Sequence, residues 1–148
     1  MLVTISYNRK NTVDYAAKWA LGRNPRYYDY HDIGGDCTNF ASQCIYAGSK
    51  VMNYTPTYGW YYNSANDKSP SWTGVQYLYN FLVNNKTVGP FGKEVPIRQI
   101  QVGDLIQLGN HNNHFYHSLI VMQTGKEPDY SNIKISTHTY DSSYRPLS

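Results

Sequence analysis

The sequence predicts an α+β fold, and three observations carry that prediction. Helical periodicities fill the first half of the chain, and short β-rich runs fill the part after Pro90. No repeat, linker or low-complexity stretch separates the two. Helices followed by antiparallel strands are expected to pack as layers of a single domain, residues 1–148. A chain of 148 residues suits one hydrophobic core.

The first helix is predicted over 12–21, where Val13, Ala16, Ala17 and Ala20 recur at i, i+3, i+4 and i+7. Asn11 or Thr12 offers its N-cap, and Gly22 its stop. The tyrosine-rich stretch NPRYYDYHDIGG has no period and reads as a loop. A second helix is predicted over 37–47, with Cys37, Phe40, Ala41 and Cys44 on one face, Asp36 as N-cap and Gly48 as C-cap. Residues 49–72 are irregular. Thr73 and Gln76 match a capping box for a third helix, about 73–84, whose apolar face is Val75, Leu78, Tyr79 and Leu82. The strands are DLIQL (104–108), HSLIVMQ (117–123) and NIKISTHT (132–139).

Composition narrows the function. Sixteen tyrosines stand against few Leu, Ile and Val, so aromatic rings must supply much of the buried area. A net charge of +3 with no Lys/Arg run argues against a dedicated nucleic-acid binder. No window of 18 apolar residues is present, so no membrane-spanning helix is expected. The start, MLVTISYNRK, lacks the features of a signal peptide. The expectation is a chain made in the cytosol, exported by another route, or trimmed from a longer secreted protein. Cys37 and Cys44, seven positions apart in one helix, would lie roughly 10 Å apart along its axis, too far for a disulfide.

The segment GGDCTNFASQ (34–43) draws attention to Cys37. A cysteine in the first turn of a helix meets the positive end of the helix dipole, which favours thiolate. With Asp36 as cap, Cys37 takes the first helical position, and its own N–H is free for a developing oxyanion. The alternative is a small buried hydrophobe, the expected role of Cys44. A thiol nucleophile needs a base, and His117 opens the strand HSLIVMQ. Pairing Gln123 with Asn132 in a hairpin would also set His117 opposite His138, which could then orient the His117 ring. Asp141 is the rival for that third role. His111, His114 and His117 form H-x-x-H-x-x-H, a zinc alternative, but in a loop without HExxH or paired cysteines. Asp29, Asp32 and Asp36 offer a calcium alternative that does not match an EF-hand. Tyr30, Trp60 and Trp72 are candidates for the walls of a substrate groove.

These residues also carry a resemblance. Y-N-R…V-x-Y-A-x-x-W, then N-P-x-Y-x-x-Y and G-G-D-C-T-N-F-x-S-Q, then SPSWTGV, GDLIQL, HSLIVM and ISTHTYDSSYRPL, resemble in order the putative amidase domain family of bacterial and phage proteins. The resemblance covers about residues 7 to 148. That family looks like a branch of the papain-like cell-wall cysteine hydrolases related to CHAP domains. It implies a papain-like α+β fold, with a nucleophile-bearing helix packed on an antiparallel sheet. It implies Cys37 as nucleophile and His117 as base, with a third residue on the next strand, where His138 stands.

The function this implies is cysteine-dependent cleavage of a peptidoglycan amide, as in an N-acetylmuramoyl-L-alanine amidase or a phage endolysin domain. An endopeptidase using the same groups, or a non-catalytic wall-binding module, is the alternative. No cofactor and no metal are expected. The expected partner is peptidoglycan, not nucleic acid, with no membrane insertion. The chain is expected to be a monomer working outside the cell or in its wall.

Overall fold

Asn8, not Asn11 or Thr12, starts the first helix. In the computed structural model, which describes residues 1–112 and 114–148, helix α1 runs from Arg9–Trp19. The Asn8 side chain accepts the Asn11 N–H at 3.0 Å, while its own N–H is held by Gly48 O at 3.0 Å. That second bond fixes the cap three residues earlier than periodicity places it. The neighbouring residues tie α1 to the sheet: Tyr7 OH donates to Gly103 O at 2.9 Å, and Arg9 pairs with Asp104 at 2.5 Å.

Helix α2, Cys37–Ser49, begins at the predicted residue and ends two residues beyond the prediction, with Lys50 at φ 61° as its C-cap. Gly48 lies inside α2 because it is the crossing point with α1. A Cβ there would sit 2.1 Å from Thr12 Oγ1 and 2.6 Å from Tyr7 Cε1. Opposite it, α1 presents the buried small residues Thr12, Ala16 and Ala20. Ten of the thirteen α2 residues are buried. Three of its buried polar side chains are met by aromatic residues: Asn39 Oδ1 accepts Trp72 Nε1–H, Ser42 Oγ accepts Trp60 Nε1–H, and Gln43 Oε1 accepts the Tyr15 hydroxyl.

The aromatic residues proposed as groove walls are therefore core. Trp60 and Trp72 are 0% exposed, with ring centroids 4.7 Å apart, and Tyr30 is buried with its hydroxyl on Ala65 O at 2.9 Å. Each indole can be buried because α2 supplies an acceptor for its N–H.

A short hairpin, β1 (Tyr62–Ser64) and β2 (Asp67–Lys68), leads into α3 (Pro70–Thr73) and α4 (Val75–Asn84). The single helix expected over 73–84 is broken at Gly74, which is extended (φ −103°, ψ 124°). No capping box forms. Gln76 Oε1 instead accepts the Phe115 N–H at 3.0 Å, joining α4 to the sheet.

After a 3₁₀ turn at Ile97–Gln99 comes an antiparallel sheet in the order β3-β4-β5-β6, formed by Leu105–Gly109, Phe115–Gln123, Lys134–Thr137 and Ser142–Pro146. This confirms the α+β class. Strand β6 was not expected: it carries no apolar alternation and ends in proline, which an edge strand tolerates. Strand β4 separates two apolar layers. Ile120 and Met122 face the helices, while Leu119 and Val121 meet Ile133 and Ile135 on the other side. Burial on both faces explains its unbroken apolar run.

The β4–β5 register differs from the expected one. Val121 pairs with Ile135 and Gln123 with Lys134, not Asn132. This choice sets Ile135 beside Val121 in the second apolar layer. A slip of one residue reverses every side chain, so His117 and His138 are not a cross-strand pair. Extending the register, His138 falls opposite Ser118.

The helix crossing yields a prediction. Gly48→Ala is expected to destabilise the fold by about 1–3 kcal/mol in urea unfolding, through overpacking against Thr12 and Tyr7. Gly22→Ala, with no atom within 4 Å of the added Cβ, serves as the matched control and should change little.

Candidate active site

Two glycines turn the chain into α2. Gly34 (φ 84°) and Gly35 (φ 98°) both occupy the left-handed region that glycine alone enters freely. Asp36 follows, fully buried, and its side chain does not cap the helix. Oδ1 accepts the Tyr30 N–H and the Asn39 Nδ2–H, each at 2.9 Å, and Oδ2 meets His138 Nδ1 at 2.5 Å. The first helical bond runs from Phe40 N–H to Asp36 O at 3.0 Å. The N–H groups of Cys37, Thr38 and Asn39 thus precede the ladder with no side-chain cap over them. Cys37 stands first among them, 8% exposed, its Sγ 3.7 Å from Thr38 Oγ1.

His138 is 1% exposed and stacks on Phe40 with centroids 4.0 Å apart. Its Nδ1 faces a carboxylate and so carries a proton that it donates to Asp36. Its Nε2 lies 2.9 Å from Trp19 O and 3.2 Å from Arg23 Nη1. The ring thereby links α1, the start of α2 and the end of β5.

The turn that carries it is unusual. Thr139 (φ 68°) and Tyr140 (φ 59°) are both left-handed, as in a type I′ hairpin turn that Asn-Gly normally fills. Side-chain anchors hold it: His138 on Asp36, Thr139 Oγ1 accepting the Asp36 N–H at 3.3 Å, and Asp141 on Arg23 through two bonds of 2.7 and 3.1 Å.

Arg23 is the site residue that sequence reasoning missed. Besides Asp141 it approaches Asp29 Oδ1 at 3.1 Å and Asp36 Oδ2 at 3.7 Å. Desolvation works against its charge, but Asp141 and Asp29 outweigh that and hold the guanidinium protonated. For Asp29, partial burial acts upward, and the His31 N–H and Arg23 more than reverse it, so its carboxyl lies below the usual range. A signal was available: Arg23 and Arg26 are the only Arg or Lys between Trp19 and Ser49, a stretch holding three aspartates.

The remaining candidates are dispersed. Ser118 Oγ lies 2.9 Å from Thr38 Oγ1 and 3.3 Å from Gln107 Nε2, so Ser118 points at the first turn of α2. Strand alternation then sends His117 to the other face, beside its partner Leu108. Burial, and then the charge of Arg145, hold its imidazolium below the usual value of 6.5. Among the described residues Cys37 and His117 share no hydrogen bond. Each instead sits one residue ahead of the Thr38–Ser118 contact. A bulge lies next to His117, where the ladder steps from Leu108↔His117 to Gly109↔Phe115 and leaves Tyr116 unpaired. Asp141 is committed to Arg23. Both cysteines are free, and burial pushes the Cys44 thiol well above its usual range, as befits a core residue. His111 and His114 are exposed in the β3–β4 turn, whose Asn113 lies outside the described residues. Among those described, no three His, Cys, Asp or Glu side chains converge as a metal-binding group.

The two former rivals for the third catalytic role should separate cleanly in stability. His138→Ala strips the buried Asp36 of its partner and is expected to cost roughly 3–5 kcal/mol in urea unfolding. Asp141→Asn alters a partly exposed ion pair and should cost about 1 kcal/mol or less by the same measurement.

The family comparison runs nearly the whole chain. Residues 6–148 match the family described as "Putative amidase domain". A Bacillus subtilis (strain 168) protein described as "Uncharacterized protein YhbB" is 32% identical over 143 residues, covering 94% of this chain and 43% of that protein. The chain therefore spans less than half the length of the relative it matches. No solved structure matches. The match takes in the α2 start, the strand GDLIQL, the strand HSLIVM and the His138–Asp141 turn together, and the chain belongs to the putative amidase domain family.

Proposed function

We propose that the chain is a cysteine-dependent hydrolase that cleaves an amide of the peptidoglycan stem peptide, in the manner of an N-acetylmuramoyl-L-alanine amidase. The observation that carries this reading is the start of α2. Cys37 is its first residue, three backbone N–H groups around it have no side-chain cap, and the acid that could have capped them is turned away to His138. Amide cleavage needs a nucleophile beside donors aimed at the oxygen that becomes negative.

The steps follow. Cys37 Sγ, its proton passed to a base, attacks the scissile carbonyl carbon, and the oxyanion is met by the uncapped N–H groups. The carbon–nitrogen bond breaks, the amine leaves with the proton returned by the base, and water hydrolyses the thioester to acid and free thiol.

His117, at the head of β4, is the base in this reading; its ring lies on the strand face away from α2 and must be re-aimed to reach Cys37. The adjoining bulge interrupts the ladder there, so this is the position in β4 most readily re-aimed, and apo geometry commonly tightens only on substrate. His138 acts differently. With Nδ1 on Asp36 and Nε2 against Trp19 O, it holds the helix start in place and leaves the proton transfers to His117. A Cys-bearing helix start on an antiparallel sheet supports kinship with the papain-like CHAP hydrolases, and with it action at the cell wall. An endopeptidase would use the same groups on a neighbouring bond.

Cys37→Ala and Cys37→Ser are expected to reduce muropeptide release by at least about 10³-fold, with the fold retained by circular dichroism. Mass spectrometry of the digest identifies the bond: a free lactyl end marks the amidase, a new peptide amine the endopeptidase. Full activity in Cys37→Ala removes the mechanism.

The pH profile tests the base. Because the His117 pKa is lowered, its neutral form persists to more acidic pH, and the acid limb of kcat/KM should fall below pH 6.5. Arg145→Gln removes a charge that opposes protonation, so that limb should move upward, most clearly at low salt. A limb indifferent to Arg145 assigns the base to another group.

A further inference from the structure

On the side of the aromatic core away from α2 lies an open groove of about 720 Å³, between α4 and the loop 53–59. Its floor is Phe81, which stacks on Trp60 at 6.1 Å, and Trp60 in turn bonds Ser42 of α2. One wall is the α4 face Tyr77, Asn80 and Asn84, at i, i+3 and i+7, and the facing loop contributes Tyr58. Lys86 is the one charged residue lining it, and no acid does.

Three features separate this groove from leftover space. Tyr58 is 84% exposed and Tyr77 61%, so two large rings face water on either side of an apolar floor. The loop presenting Tyr58 is rigidly built. Thr57, a β-branched residue, is held at φ 67°, and Gly59 packs so tightly that a Cβ would lie 2.2 Å from Asn53 O. A few polar groups on the α4 wall and the facing loop are also unspent. Asn84 Nδ2 is bound to Asn80 O and Asn80 Oδ1 to Gln76. Among the described residues, Asn84 Oδ1, Asn80 Nδ2 and the hydroxyls of Tyr58 and Tyr77 have no partner.

We propose that this groove binds a strand of N-acetylated amino sugars. Ring faces stack on the apolar faces of pyranoses, and a lining with no acid and a single lysine suits a polymer with little charge. Side-chain amides match acetamido groups donor to acceptor, and Lys86 at one end can donate to a sugar hydroxyl or acetamido oxygen. The choice of amino sugar over another neutral glycan rests on the function proposed above. The groove would anchor the chain on the glycan at a distance from Cys37, rather than form part of the catalytic cleft.

The test uses the full chain as Cys37→Ala, so that nothing is cleaved. It is titrated with a tetramer of N-acetylglucosamine and, separately, with a glucose tetramer and a stem peptide free of sugar, and followed by amide NMR and calorimetry. Saturable binding of the amino-sugar tetramer is expected, with shifts at Tyr58, Tyr77 and Asn84. Tyr58→Ala and Tyr77→Ala should each weaken it roughly tenfold, with unfolding midpoints unchanged because both rings are exposed. Equal binding of the glucose tetramer, occupation by the sugar-free peptide instead, or Tyr variants that bind as tightly would each overturn the proposal. Activity of the unmutated chain on peptidoglycan is read separately. Tetramer binding without hydrolysis keeps the groove and sinks the catalytic reading, and hydrolysis without tetramer binding does the reverse.

Discussion

A helix buried on nearly every side has no solvent to satisfy its polar side chains, and that constraint on α2 organises the rest of the molecule. Asn39, Ser42 and Gln43 must each be met from a different element, and each is met by the polar tip of an aromatic residue: Trp72, Trp60 and Tyr15. The tyrosine- and tryptophan-rich composition follows. A core of Leu and Val around this helix would leave three polar groups unpaired. The same bonds fix α1, α3 and the β1 approach around α2, so the aromatic core and the placement of Cys37 are one problem with one solution.

Asp36 shows that constraint at the site. As a helix cap it would cover the N–H groups that a reaction needs. Buried against His138 and Asn39 it is satisfied elsewhere, and the helix start is left uncovered. That arrangement depends on a strained Thr139–Tyr140 turn, which Arg23 secures through Asp141. Residues more than a hundred positions apart thus set the geometry of one helical turn. The early sequence Tyr7–Asn8–Arg9 does similar work at the other end of α1, where Tyr7 and Arg9 reach Gly103 and Asp104 and Asn8 caps the helix.

Much of the fold was legible because it rests on local rules. The helical periods of α1 and α2, the strands around Leu105 and Leu119, and the helix-start position of Cys37 all follow from spacing and propensity. The failures share a physical cause. Gly48 looked like a helix stop and is a contact between helices. Thr73 and Gln76 looked like a capping box, but Gly74 breaks the helix and Gln76 is claimed by β4. Trp60 and Trp72 looked like groove walls because the acceptors for their N–H groups lie in a distant helix. In each case a partner remote in sequence outcompeted the local one.

The sequence by itself determined the α+β class, the two central helices and the presence of Cys37 at the mouth of one of them, since periodicity, glycine placement and β-propensity act within a few residues. The tertiary structure alone decided where the histidines went. His117 stands in β4 and His138 just past the end of β5, and the register of these two strands differs by a single residue from the expected one. With a side-chain period of two, that slip sends one ring to each face of the sheet. The register is chosen by which apolar layer Ile135 joins, a question of packing across the sheet that no local pattern encodes.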